Sequence, residues 1–301
     1  MNRRDFLTGS GFAVSAFTTP VTRWLVPADE AADVAGSRKQ VGRADLEELR
    51  DAADEARRWD SKYGGGNWKA DSVTVCLQER AAPLLRGSFT DEVGRDLFSV
   101  TSELSHLAGW TAFDVGQHDV AQRHFIQALR LARAGGDVEL GCYVLTTMAM
   151  QSLLRGIPSE AVDMAQGAFE RAKGHAAPRV LAFTKLIEAR AHARERDARA
   201  ASQALKAALT WNQQAAAMPS GVFARSVGMR LAIVGTAHLQ GRDLDHGLDL
   251  GNRSVDILAR VQSSRAKDNV REFNPALAPW RREPAVREFL HRTRTELGIT
   301  V

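Results

Sequence analysis

Cysteine, tyrosine and lysine are the scarce residues of this chain. Of 301 residues two are cysteine and two are tyrosine, and of 40 basic side chains only seven are lysine. Two cysteines exclude a disulfide framework and a thiolate metal centre. Cys76 and Cys142 stand far apart in apolar, helix-like surroundings, so the choice lies between one disulfide and two buried thiols, and the surroundings favour thiols. The shortage of lysine beside abundant alanine and arginine points to GC-rich coding before it points to any function. No apolar run reaches the roughly 18–20 residues that a membrane-spanning helix needs. The formal net charge is only +4, which excludes a nucleic-acid footprint unless that charge gathers on one face. No segment sustains the strict alternation of a half-buried strand.

What is present is helical periodicity. From about Asp45 to Leu297 helix-length apolar periods alternate with short breaks. In "DLEELRDAADEARRWDSKY" Leu46, Leu49, Ala53, Ala56 and Trp59 or Tyr63 share one stripe, and Gly64–Gly66 end it. A second helix is expected over "DSVTVCLQERAAPLL". Ser88 or Thr90 then caps a third that carries acidic residues in its first turn. At the other end "PWRREPAVREFLHRTRTELG" predicts a closing helix. Pro284 suits its first turn, Val286, Phe289 and Leu290 form its apolar stripe, and Gly298 ends it. The basic residues from Arg253 to Arg294 interleave with acids, as on a solvated face.

Within this pattern lies a repeat. Ala121, Ala161 and Ala201 are spaced by 40 residues, as are Phe125, Ala165 and Leu205, and again Ala128, Ala168 and Ala208. A weaker fourth copy begins at Gly241. Another helix precedes each copy, so the unit is helix, tight turn, helix. Such pairs cannot bury both faces alone and stack on one another. The fold expected is all-α: a helical-repeat solenoid with a C-terminal capping helix. An N-terminal segment, residues 1–42, precedes the repeat domain of residues 43–301.

"LAGWTAFDVGQHDVAQRHFIQAL" places Gly109, Ala121, Phe125 and Ala128 as tetratricopeptide repeats do, and in that sense the chain resembles them; its period is longer than the usual one. "WDSKYGGGNW", "LLRGSFTDEVGRDLFSVTSELSHLAGWTAFDVGQHDVAQRHFIQALRLARAGGD" and "APRVLAFTKLIEARAHARERDA" together carry a closer resemblance. They are similar to the C-terminal regions of actinobacterial transcriptional regulators that begin with a Cro/repressor-like helix-turn-helix domain. The resemblance implies a sensing or protein-interaction module in transcriptional regulation. The chain departs from those regulators upstream, where fewer than 45 residues show no three-helix pattern. Direct DNA binding is therefore not expected of it.

Motifs of catalysis are missing from the sequence. The eight histidines show no metal-binding spacing within a helix, "YGGGNW" lacks the lysine and hydroxyl of a phosphate loop, and no nucleophile elbow occurs. A non-enzymatic protein without cofactor or metal is expected. Attention then falls on a surface. By resemblance to tetratricopeptide arrays, the first helix of each pair lines a concave face. That assigns His106, Trp110, Phe113 and Asp114 to it from the first copy. The second copy gives Tyr143, Thr146, Met150 and Gln151, and the third Phe183 and Arg190. Such a mixture suits a peptide, a small ligand or a protein partner, and a second copy of the chain (a homodimer) stays open as well. Aromatics at helical spacing more often serve a core, and for Trp110 and Phe113 the core is the favoured reading. Asp114, Gln151 and Arg190 argue more strongly for a site, because burying them unpaired is costly.

The opening "MNRRDFLTGSGFAVSAF" fits a twin-arginine export signal, with Arg3 and Arg4 before an apolar stretch and a small-residue cleavage site at Ala28. In the regulators described above the corresponding segment is an internal linker, and Arg23 and Trp24 interrupt the approach to Ala28. A cytoplasmic protein is expected, with export as the alternative.

Overall fold

The computed structural model describes residues 12–25, 40–65, 70–214, 224–240 and 242–299. Among these residues thirteen helices form and no strand, only an isolated bridge between Gln40 and Ser88. The fold is all-α. The Arg3–Arg4 pair and Ala28 lie outside the described residues.

Two compact units emerge. The first begins with a 3₁₀ turn at Val14–Phe17 that leads into α1 (Thr18–Leu25). It continues with the N-terminal part of α2 (Arg43–Tyr63), α3 (Ala70–Cys76) and α4 (Asp91–Asp114) up to Phe113. Its remainder is α5 (His118–Gly135), α6 (Val138–Leu154), α7 (Pro158–Ala172), α8 (Pro178–Arg194) and α9 (Ala198–Gln214). The second unit holds α2 from Glu55 onward, the turn Asp114–Gly116, and four helices: α10 (Ala224–Gln240), α11 (Leu244–Leu258), α12 (Ser264–Ala276) and α13 (Pro284–Leu297).

Local chemistry explains the boundaries. Leu46, Leu49 and Ala53 of α2 are buried, and Asp45 reaches back to accept the Gly42 N–H at 3.0 Å. α3 runs on through a π turn, Leu77–Ala81, into the stub Ala82–Leu84, where a continuous helix was expected. Pro83, two residues past the end of that turn, has no N–H to give a carbonyl one turn earlier, so the ladder is broken there. Thr90, not Ser88, caps α4: its hydroxyl accepts the Val93 N–H at 3.3 Å, while the Ser88 carbonyl accepts from Val41.

The repeat is written most plainly in its turns. Gly116 and Gly156 have φ of 84° and 81°, and the corresponding residues of the third and fourth copies, Arg196 and Arg242, have φ of 65° and 66°. The residue after each donates to a carbonyl five positions back: Gln117 to Ala112, Ile157 to Ser152, Asp197 to His192, Asp243 to His238. Each hairpin thus ends its first helix with one left-handed residue, which glycine accepts freely and arginine only with strain. Ala121, Ala161, Ala128 and Ala168 are fully buried, so the helices of the first two pairs come close. The third copy departs from the alignment. Leu205 is 44% exposed where Phe125 and Ala165 are fully buried, and Ala204 turns inward beside it, while Ala208 keeps the buried place of Ala128 and Ala168.

Each unit has its own core. In the first, Phe125, Leu129, Leu145, Met148 and Ile187 pack with Phe17 and Trp24 of the N-terminal segment. In the second, Leu239, Val255, Val270, Phe273, Phe289 and Leu297 do so. Val286 and Phe289 of α13 are buried, and Gly298 closes that helix with φ 67°.

Candidate functional site

Most residues assigned to a concave face prove to be buried. His106, Thr146, Met150 and Gln151 are buried, as is Trp110 at 9% exposure, whereas Tyr143, Phe183 and Arg190 are half-buried. The His106 ring centroid lies 5.7 Å from Trp110, 5.7 Å from Phe125 and 4.8 Å from Tyr143, and Tyr143 stands 5.7 Å from Phe183. Beneath these rings runs a seam of short polar groups. His106 Nε2 pairs with Thr147 Oγ1 at 3.1 Å, Thr146 Oγ1 with Thr184 Oγ1 at 2.8 Å, and Cys142 Sγ with Thr184 Oγ1 at 3.5 Å. Gln151 donates to the His118 carbonyl at 2.8 Å, while its own Oε1 finds no partner among the described residues. The structure therefore joins His106, Trp110, Tyr143, Thr146 and Phe183 in one seam across α4, α6 and α8. Buried hydroxyls satisfied in this way cost little and fix the register between helices.

Asp114 belongs to the second unit, with partners that sequence reasoning missed. Arg225 donates Nη1 to Asp60 Oδ1 at 2.7 Å and to Asp114 Oδ2 at 3.0 Å, and Nη2 to Asp60 Oδ2 at 2.6 Å. The Gly65 N–H adds a bond to Asp114 Oδ2 at 3.0 Å. All three charged side chains are buried. Asp114 ends α4 and Arg225 stands in the first turn of α10, so each charge opposes its own helix dipole. Pairing removes both conflicts. An acid at a helix C-terminus and an arginine at a helix N-terminus were the signal available in the sequence.

A site that sequence reasoning missed entirely lies on α5 and α7, the second helices of their pairs. Residues 12–25 are seated against them. Gln122 grips the main chain of Ala13 with both ends of its amide, Oε1 accepting the N–H at 3.1 Å and Nε2 donating to the carbonyl at 2.7 Å. Phe17 and Trp24 are buried to 2% and 1% exposure. The indole fits because residue 141 is glycine: a Cβ there would come within 2.1 Å of Trp24 Nε1. The Arg171 guanidinium lies 4.7 Å over the indole and donates to the Leu25 carbonyl at 3.1 Å, and Arg155 covers the Phe12 ring at 5.8 Å. Backbone capture, an aromatic pocket and a cation over the ring are what a peptide-recognising surface uses.

Burial pushes the Cys142 thiol up, against the lowering pull of the Thr184 and Thr146 hydroxyls. Burial also raises Cys76, with Arg80 opposing it, and both cysteines are free thiols. Among the described residues one trio of metal-ligand type comes together, His238, Asp243 and His246 in the second unit. Burial alone would raise the Asp243 carboxyl, but hydrogen bonds from the His246 N–H and from the two imidazoles outweigh it and hold the group below its usual value. Among the described residues no helix is long and apolar enough to cross a membrane.

No protein-family model matches the chain, and no curated protein matches it by sequence.

Proposed function

We propose that this protein is a regulatory helical-repeat module that recognises a peptide or a segment of a partner protein and catalyses no reaction. One observation carries the reading: the face built by α5 and α7 already holds residues 12–25, gripping the backbone through Gln122 and enclosing Phe17 and Trp24. A surface that accommodates one such segment of its own chain is equipped to take an equivalent segment from elsewhere. The resemblance of the "AGWTAFDVG" and "AQRHFIQALRLA" stretches to regulator C-terminal regions supports a role in transcriptional control exerted through a partner, without direct contact to DNA. The burial of Phe17 and Trp24 in the first core supports a cytoplasmic protein whose N-terminal segment is a working part over an exported one whose leader is removed.

The test keeps the chain whole until the measurement. A protease site replaces residues 30–36, the purified protein is cleaved, and a fluorescent peptide of residues 11–26 is added. The cleaved fragment is expected to exchange for the labelled peptide, and a Trp24→Ala peptide is expected to fail. If the cleaved protein takes up no peptide at any concentration, or takes up the Trp24→Ala peptide equally well, the reading is wrong.

A further inference from the structure

The turn between α10 and α11 gathers two imidazoles on one carboxylate. His238 lies in the last turn of α10, Asp243 caps α11, and His246 stands three residues on. The left-handed Arg242 folds the chain back sharply enough to bring the three together. The Asp243 carboxylate is held by its cap bond, with Oδ1 accepting the His246 N–H at 3.2 Å. Oδ2 lies 3.2 Å from His238 Nδ1 and 2.9 Å from His246 Nδ1, and the His246 Nδ1 also stands 3.1 Å from Oδ1. The rings themselves stack at 5.6 Å with 28° between their planes. One donor atom from each residue lies within 4.8 Å of the other two.

We propose that His238, Asp243 and His246 form a binding site for a divalent transition-metal ion of the zinc, nickel or copper class. Ligand atoms about 2.1 Å from a tetrahedral centre stand about 3.4 Å apart. The two oxygen–nitrogen separations here, 3.2 and 2.9 Å, fall inside that, and a small outward turn of the exposed His246 ring opens the second. Two imidazoles and one carboxylate select these ions over magnesium or calcium, which prefer all-oxygen shells. The cap bond from the His246 N–H is the kind of outer contact that orients a metal-bound carboxylate. Each Nδ1 stands within hydrogen-bond reach of Asp243. To ligate an ion through Nδ1 a ring must carry its proton on Nε2, which turns the Nδ1 lone pair to the ion. The His246 side chain is 75% exposed, which leaves the remaining coordination position open to water. The ion would staple the end of α10 to the start of α11.

The spacing escapes a search for pairs one helical turn apart, because the ligands come from two helices and the cap between them. The test is calorimetric titration of the untagged full chain with zinc chloride, alongside His246→Ala, His238→Ala and, as control, the exposed His291→Ala. Wild type and the control are expected to bind one ion per chain at this site and to gain thermal stability from it. Each ligand variant is expected to lose about tenfold or more in affinity and to lose the zinc-dependent rise in Tm. Exposure of His246 makes its alanine variant fold normally, which an unchanged metal-free Tm verifies. The proposal is overturned if wild type shows no saturable site, or if both ligand variants bind zinc as wild type does.

Discussion

At the scale of single residues, the left-handed turn positions give the sharpest expectations. Gly156→Ala forces a Cβ into a conformation that costs about 1–2 kcal/mol, and its urea midpoint is expected to fall accordingly. Arg196→Gly relieves the same strain and is expected to stabilise by about 0.5–1 kcal/mol in the same measurement, after the loss to unfolded-chain entropy. His124 supplies a pH dependence. Burial, with help from Arg123, holds its imidazole below the usual value, so the unfolded chain takes up this proton at a higher pH than the folded one. The contribution is fully present above the unfolded pKa of about 6.5 and is lost as pH falls below it. Comparing urea midpoints at pH 7.5 and 5.5, His124→Gln is expected to lose less stability on acidification than wild type. Asp114 and Gln151 read as site residues because burying them unpaired is costly, and the structure instead buries both with partners inside the chain. Which partners they have, Arg225 and the His118 carbonyl, depends on contacts that no local spacing encodes.

At the scale of elements, helix existence and polarity followed from apolar periodicity, and the repeat from small residues at fixed spacing. What periodicity could not supply was direction. Phe125 and Leu205 occupy equivalent positions, yet one is fully buried and the other largely exposed, because the outward side of α9 meets no described neighbour. Leu205→Glu and Leu209→Glu are accordingly expected to change stability by no more than about 0.5 kcal/mol in chemical denaturation, whereas Phe125→Ala costs about 3–5 kcal/mol. The packing of the N-terminal segment was hidden for a related reason. Its apolar residues look like those of an export signal because they are apolar, and the groove that receives Trp24 exists only once Gly141 and Arg171 are brought together. Trp24→Ala in the full chain is expected to cost about 3–5 kcal/mol, read from the urea midpoint.

At the scale of the whole molecule, two separate cores mean that damage stays where it is made. Arg225→Ala strands two buried carboxylates and is expected to cost about 3–5 kcal/mol. In hydrogen-exchange mass spectrometry the loss of protection should fall on α10 and on residues 60–65, while Trp24→Ala should deprotect α1, α5 and α7. Protection lost evenly over the chain in both variants would contradict two cores. The sequence reading treated residues 43–301 as one array, since nothing in apolar spacing marks where one core yields to another. The third and fourth copies are also where the turn glycine gives way to arginine.

The amide of Gln122 holds only main-chain atoms of Ala13, so it is blind to the side chain at that position and intolerant of one residue alone. Proline, which has no N–H, cannot complete the pair. Selectivity must then come from the two rings, Phe17 and Trp24, seven residues apart and four and eleven beyond the clamp. Under the proposed function, these contacts set a grammar for a competing segment: a free amide first, an aromatic four residues on, and an indole one heptad after that.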